Sequence, residues 1–179
     1  TIATIKLTGN AIAVGAAWNA YIKNFRLKAT ANVVPGNGRL SGNFLKGEAI
    51  YKKNNIFSIK GSLLVNSKSP NFNTILYQSE YDTYNWQNSF SNVNTRDLAF
   101  ALQSKWLNAS INATNIDNFT YFNNNNLPEQ FANQVVYLKV KANREFKFWK
   151  LALNNTIMYQ NVSAGNEVSR VPDLVTRNT

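Results

Sequence analysis

The sequence predicts an all-β protein, an antiparallel up-and-down transmembrane β-barrel, of which residues 1–179 form an incomplete internal portion of about nine strands. Apolar and polar residues alternate with period two along most of the chain, which is typical of strands with two unlike faces. The alternating runs are about 10–14 residues long, whereas a tilted strand needs about 9–11 residues to cross a bilayer. The connections between them alternate in length, as in transmembrane barrels.

In the first half of the chain, strands are predicted at 2–8, 11–22, 25–34, 39–52 and 56–66. The alternation is cleanest from Phe25 to Val33, where odd positions are apolar and even positions polar. Lys23-Asn24 precedes this strand as a tight hairpin turn. The strand at 39–52 is less regular, and we expect a β-bulge near Gly47. The flanking strands carry their apolar faces at Ile12, Val14, Ala16, Trp18 and Ile22, and at Phe57, Ile59, Gly61, Leu63 and Val65.

In the second half, strands are predicted at 96–106, 109–121, 134–145 and 149–161. The third of these alternates apolar and polar residues from Val136 to Asn143, and the fourth does so from Trp149 to Asn154. All nine strands are assigned to one domain, residues 1–179. We expect further strands after residue 179, and possibly before residue 1, because the chain opens in a strand pattern without a leader segment and ends on polar residues.

The connections separate the strand ends into two sides. The short ones are Lys23-Asn24, 53–55, 106–108 and the region around Lys147, and the long ones are 67–95, 122–133 and 162 onward. Tight turns at Gly9-Asn10 and 35–38 are exceptions on the long side, and 67–95 must count as one excursion although 81–90 could form its own hairpin. Aromatic residues lie beside the short turns, as a belt at the lipid headgroups predicts: Phe25, Phe57, Trp106, Phe146, Phe148 and Trp149.

The composition excludes most enzyme chemistries. The chain has no cysteine and no histidine, which removes disulfides, thiolate or imidazole zinc sites and Ser–His–Asp mechanisms. We therefore predict no catalytic residue, metal site or cofactor, and no enzyme. The net charge is +10, but the basic residues are scattered, so we expect no nucleic-acid partner.

Basic residues on the polar sides of the strands are the candidate pore lining. A Lys or Arg facing lipid at mid-depth costs about 2–4 kcal/mol, so these side chains should point into a water-filled lumen. Rings of positive charge would favour anionic solutes. Pairing with acids on other strands is the alternative, and Glu48 could pair with Lys46 or a neighbouring lysine. The predicted pore-lining residues are Arg26, Lys28, Lys60, Lys139, Lys141 and Lys150.

The long segment 67–95 is the candidate binding or constricting loop, because loops carry function more often than the scaffold does. Its aromatic residues Tyr77, Tyr81, Tyr84 and Trp86 could stack on a ligand. Alternatively, they pack the loop against the rim of the barrel.

Several segments resemble the putative porin family of Bacteroidetes, especially its flavobacterial members. They are residues 84–90 (YNWQNSF), 104–110 (SKWLNAS), 115–122 (NIDNFTYF), 137–141 (YLKVK), 145–148 (EFKF), 153–162 (LNNTIMYQNV) and 171–179 (VPDLVTRNT). The resemblance implies an outer-membrane β-barrel that continues beyond Thr179, and it carries no catalytic motif.

Together these observations predict a porin-like passive channel in the bacterial outer membrane for small polar or anionic solutes. The expected partners are outer-membrane lipid and those solutes, and the oligomeric state does not follow from the sequence. The alternative is a non-conducting outer-membrane barrel that acts as a receptor, adhesin or secretion partner through its loops.

Overall fold

The computed structural model describes residues 8–36, 40–54, 56–81 and 83–179. The elements in these ranges are β1 (Val14–Ile22), β2 (Phe25–Val34), β3 (Gly42–Lys53), β4 (Phe57–Lys68), α1 (Phe72–Ile75), β5 (Leu76–Tyr77), β6 (Trp86–Gln87), β7 (Val93–Ser104), β8 (Asn108–Asp117), β9 (Thr120–Phe122), β10 (Pro128–Gln130), β11 (Val135–Phe148), β12 (Leu151–Ala164) and β13 (Leu174–Asn178). Within the described ranges, no helix has the length and apolarity needed to cross a membrane.

Nine of the described strands form one antiparallel sheet in the order β1-β2-β3-β4-β7-β8-β11-β12-β13. The sheet is not closed, because β1 and β13 each have one edge without a partner strand among the described residues. The predicted all-β, antiparallel up-and-down architecture is therefore confirmed, in the form of an incomplete barrel. The remaining four short strands pair only with each other, as β5 with β6 and β9 with β10.

Eight of the nine predicted strands are present, with ends that differ by up to four residues. The strand predicted at 2–8 lies outside the described residues, as do Arg39, residues 37–38 of one predicted turn and Asn55 of another. The strand predicted at 109–121 ends at Asp117, because Asn118 takes a left-handed backbone with φ 58°. β13 was not predicted, since it is only five residues long and follows a turn-rich segment.

The bulge expected near Gly47 is absent. Gly47 pairs directly with Ala29 on β2 and Leu63 on β4, and the register runs through it without a shift. The irregular sequence pattern arises because Phe44 and Ile50 are apolar residues on the polar side of β3. The register shift in this sheet lies instead between Val136 and Tyr137 on β11.

The alternation of connections agrees with the prediction for the described residues. β4 pairs directly with β7, so the segment between them is a single excursion from the sheet even though β5 and β6 form a small hairpin inside it. The segment between β8 and β11 likewise contains the β9–β10 hairpin. The turns after β1, β3, β7 and β11 are short and lie at the opposite end of the strands.

The register places most of the apolar residues of the strands on one face. Residues that are directly paired on adjacent strands share a face of the sheet. One row of partners across the sheet reads Ala29, Gly47, Leu63, Leu98, Ala113, Leu138. The next row, one residue along, reads Asn19, Lys28, Glu48, Ser62, Ala99, Asn112, Lys139, Gln160. We call these surfaces the apolar face and the polar face.

The apolar face is the more exposed of the two. On β7, Leu98, Phe100 and Leu102 are exposed, whereas Asp97 and Ala99 on the polar face are half-buried. Side chains crowd on the inside of a curved sheet, so this difference indicates that the sheet curls towards its polar face. Among the described residues the buried apolar side chains are few: Ile75 and Leu76 lie within the excursion between β4 and β7, and Val135 lies at the start of β11. In the described part of the chain, therefore, no hydrophobic core is packed against the apolar face.

The ends of the strands are staggered along the sheet. A straight row of partners that begins at Phe25, the first residue of β2, reaches β11 at Ala142, six residues before the strand ends at Phe148. Six residues over five strand-to-strand steps correspond to about 20 Å along the strands for about 24 Å across them. If the short turns lie at one level, the strands are tilted by about 40°, within the range of about 35–45° for membrane barrels.

Candidate functional site

Five of the six predicted pore-lining residues lie in two adjacent rows of the polar face, which we call the basic rows. In the first row, cross-strand partners are Arg26, Ile50, Lys60, Ala101, Ser110, Lys141. In the second row, Lys28 and Lys139 lie on either side of Glu48, Ser62, Ala99 and Asn112. Residues separated by more than 100 positions in sequence thus come to lie in the same rows across the sheet.

A carboxylate lies between two lysines in the middle of β3. The Oε1 atom of Glu48 is 3.3 Å from the Nζ atom of Lys46, and the same oxygen contacts the Nζ atom of Lys60 on β4. The Glu48 side chain is only 12% exposed, whereas each lysine side chain is 42% exposed. The carboxylate is therefore enclosed while both ammonium groups face the space above the polar face. The predicted pairing of Glu48 with Lys46 or a neighbouring lysine is confirmed.

Acid pairing accounts for only part of the positive charge. Lys60 is paired with Glu48, but within the described ranges Arg26, Lys28, Lys139 and Lys141 form no ion pair with an acid. Arg26 is held instead by neutral groups of its own hairpin. Its Nε donates to Asn19 Oδ1 at 3.2 Å, and its guanidinium lies 4.9 Å from the centroid of the Tyr21 ring.

Lys150 is separate from the other five residues. It lies in the turn between β11 and β12, where its Nζ atom is 5.2 Å from the ring centroid of the neighbouring Trp149. Lys46 lies on the polar face, although it was not among the predicted pore-lining residues. The alternation that would have placed Lys46 on the polar face is broken by the apolar residues Phe44 and Ile50 on the same side of β3.

The other polar-face groups near the basic rows hydrogen-bond to neutral partners. Asp97 accepts a hydrogen bond from the Thr114 hydroxyl across the β7–β8 pair. Tyr137 donates its hydroxyl to Gln160 Oε1 at 2.7 Å, and the buried Gln160 side chain donates in turn to the carbonyl of Pro172 at 2.8 Å. Within the described residues no three His, Cys, Asp or Glu side chains gather in a way that could hold a metal ion.

On the apolar face, polar residues appear only towards the strand ends. At the end nearest the excursions, Arg96 pairs with Asp117, with 3.1 Å between Nη2 and Oδ2. At the other end, the rings of Phe25 and Tyr51 are 4.8 Å apart, and Tyr51 is 6.1 Å from Phe57. The apolar band thus ends in ion-paired groups on one side and in aromatic rings on the other, an arrangement typical of the boundaries of a membrane-spanning surface.

The predicted loop residues divide into two pairs. Tyr77 and Trp86, on β5 and β6, are stacked with 5.0 Å between ring centroids. Trp86 also meets Phe122 of the neighbouring excursion edge-on at 6.0 Å, and its Nε1 donates to the carbonyl of Asn73 at 2.9 Å. Tyr81 and Tyr84 lie in the turn joining β5 to β6, and Tyr81 is 73% exposed. We call the rings of Tyr77, Trp86 and Phe122 the loop platform.

Hydrogen bonds tie the two excursions together beside the loop platform. Gln130 accepts from the Ser91 N–H at 3.0 Å and donates through Nε2 to the carbonyls of Ser91 and Asn118. Asn118 Nδ2 donates to the carbonyl of Asn92 at 2.9 Å. Nearby, desolvation and the carboxylate of Glu129 raise the pKa of Tyr121 above its usual value. The excursions therefore form a connected cap at one end of the sheet.

Trp86→Ala is expected to loosen this cap. The change removes two aromatic contacts and one hydrogen bond, which together stabilise the loop by about 2 kcal/mol. Amide hydrogen exchange in residues 72–90 of the intact protein should then become roughly 30-fold faster.

Tyr81→Ala is the matched control, because this exposed ring makes no aromatic contact in the described part of the chain. Equal exchange rates in both variants would contradict the role assigned to Trp86.

In a comparison with family models, residues 2–179 match a model described as putative porin. No curated protein matches the chain.

Proposed function

The chain belongs to the putative porin family, and we propose that it is part of a water-filled barrel in the bacterial outer membrane through which small polar or anionic solutes diffuse. We assign it no catalytic role, cofactor or nucleic-acid partner. The carboxylates of Glu48 and Asp97, which would be candidates for acid–base chemistry on the polar face, are engaged by lysines and by a threonine hydroxyl.

The observation that carries this proposal is the separation of the two faces. Most apolar side chains of the strands occupy the exposed face, and Lys, Asn, Ser and Thr predominate on the enclosed one. Lipid can cover the first surface and water the second. A sheet is stable in hydrocarbon only when every backbone group is paired, so the sheet must be completed into a closed barrel.

The proposal predicts steady conductance from the intact protein. Purified in detergent and added to a planar lipid bilayer bathed in KCl, it should give discrete current steps of constant size. The matched control is the same protein unfolded in urea before addition. A correctly folded, heat-resistant barrel that inserts but carries no current would contradict the channel.

A second candidate is a non-conducting barrel that binds a ligand or partner with its loops. The loop platform and the exposed Tyr81 favour it, because they place aromatic surface where an external ligand could stack. This alternative predicts a silent bilayer and a loop whose hydrogen exchange slows when a ligand is present.

A further inference from the structure

We infer that Lys28, Lys46 and Lys60, arranged around Glu48, form a binding station for compact oxyanions such as phosphate or a carboxylate in the permeation path. The inference rests on the proposed channel, and it assigns a site and a ligand chemistry to that channel.

Two ammonium groups contact one carboxylate, and a third lysine starts directly beside it. Lys46 and Lys60 contact the same oxygen of Glu48. Lys28 is the direct cross-strand partner of Glu48 on β2, on the same face. Directly paired side chains have Cβ atoms about 4.5–5.5 Å apart, so the Lys28 side chain starts within reach of the same space. Three positive charges and one negative charge leave this cluster with a net charge of +2.

The groups are also presented correctly for a ligand in water. The Glu48 carboxylate is largely buried and holds Lys46 and Lys60 close together. The side chains of these two lysines remain accessible to solvent. An ammonium group offers three donors and no acceptor, and oxyanions are its preferred partners. Phosphate can therefore bridge two or three of these groups without displacing Glu48.

The position along the strand fits a station inside the pore. Glu48 is the seventh of the twelve residues of β3, close to the middle of the apolar band on the other face of the strand. The rest of the basic rows adds Arg26, Lys139 and Lys141 in the same two rows across the polar face, with Asp97 as the opposing charge. A cleft lined by one sign of charge concentrates the opposite ion.

Inorganic phosphate is the probe. Titrated into KCl on both sides of a bilayer containing the intact protein, it should reduce the chloride current along a saturating curve. In Lys28→Gln the half-maximal concentration should rise about fivefold, the effect of removing one nearby charge in a wet site. Lys28 is outside the Glu48 ion pairs, so the variant should keep its fold. Lys53→Gln, on the other face of β3, is the matched control and should leave the curve unchanged.

Three outcomes overturn the proposed site. A channel that conducts but is not blocked by phosphate retains the proposed function and rejects the site, as does equal block in wild type and Lys28→Gln. A barrel that does not conduct rejects the channel, and the site is then tested by phosphate titration calorimetry of the folded barrel in detergent. Absence of a Lys28-dependent binding heat there would overturn it as well.

Discussion

Leu98→Lys is expected to destabilise the barrel in lipid by about 2–4 kcal/mol, because it places a charge on the lipid-facing surface near mid-depth. Leu98 is exposed on the apolar face between its cross-strand partners Leu63 and Ala113, neither of which is acidic. The free energy of unfolding should be measured by urea titration of the intact protein in phospholipid vesicles, and the fraction that inserts by its heat-dependent gel mobility.

Ala99→Lys is the matched control one residue along the same strand. Ala99 is on the polar face, in the row that contains Glu48, so a lysine there faces water. We expect its free energy of unfolding to stay within about 1 kcal/mol of the wild type. If the two variants have equal free energies of unfolding, or if that of Ala99→Lys is the lower, the assignment of the two faces to lipid and water is wrong.

Gly165→Ala is expected to cost about 3 kcal/mol at the end of β12. Gly165 has a left-handed φ of 82°, which costs a side-chain-bearing residue about 1–3 kcal/mol. An added Cβ atom would also lie 2.7 Å from Cγ2 of Val135, which is buried at the start of β11, and overpacking costs about 1–3 kcal/mol. Urea unfolding gives the total effect, and hydrogen exchange in residues 135–137 and 162–169 should show where it arises.

Gly47→Ala provides the contrast. An added Cβ atom at Gly47 meets nothing within 4 Å, and its backbone is ordinary strand. Alanine should leave stability unchanged or raise it by up to about 1 kcal/mol, because glycine in a strand carries an entropic cost. A loss of more than 1 kcal/mol at Gly47, or none at Gly165, would contradict the packing described for these two sites.

The strand scaffold could be predicted because a strand between lipid and water has only one satisfactory register. A slip of one residue would exchange the whole apolar set with the polar set, so the alternation from Phe25 to Val33 fixes both the strand and its faces. The same reasoning found Arg26, Lys28, Lys60, Lys139 and Lys141 on the polar face. It missed Lys46, because two apolar neighbours on that face broke the alternation.

The excursions and strand ends could not be predicted in the same way. β8 ends because Asn118 adopts a left-handed backbone conformation, and the sequence around it does not show that this asparagine, among the many in the chain, would do so. β13 exists through its pairing with β12, from Tyr159 opposite Leu174 onward, rather than through its own five residues. The contact of Trp86 with Phe122 joins segments that are far apart in sequence and follows no periodic pattern. β13 and the contact of Trp86 with Phe122 therefore depend on non-local packing, whereas the end of β8 depends on a local backbone angle that the alternation does not reveal.

The directions of the two open edges constrain the complete cylinder. Eight successive antiparallel pairings separate β1 from β13, so these two strands run the same way. Joining them to each other would require a parallel seam. An all-antiparallel ring has an even number of strands. If the proposed barrel is such a ring, the nine strands described here are joined by an odd number of others, whether from elsewhere in the polypeptide or from another molecule.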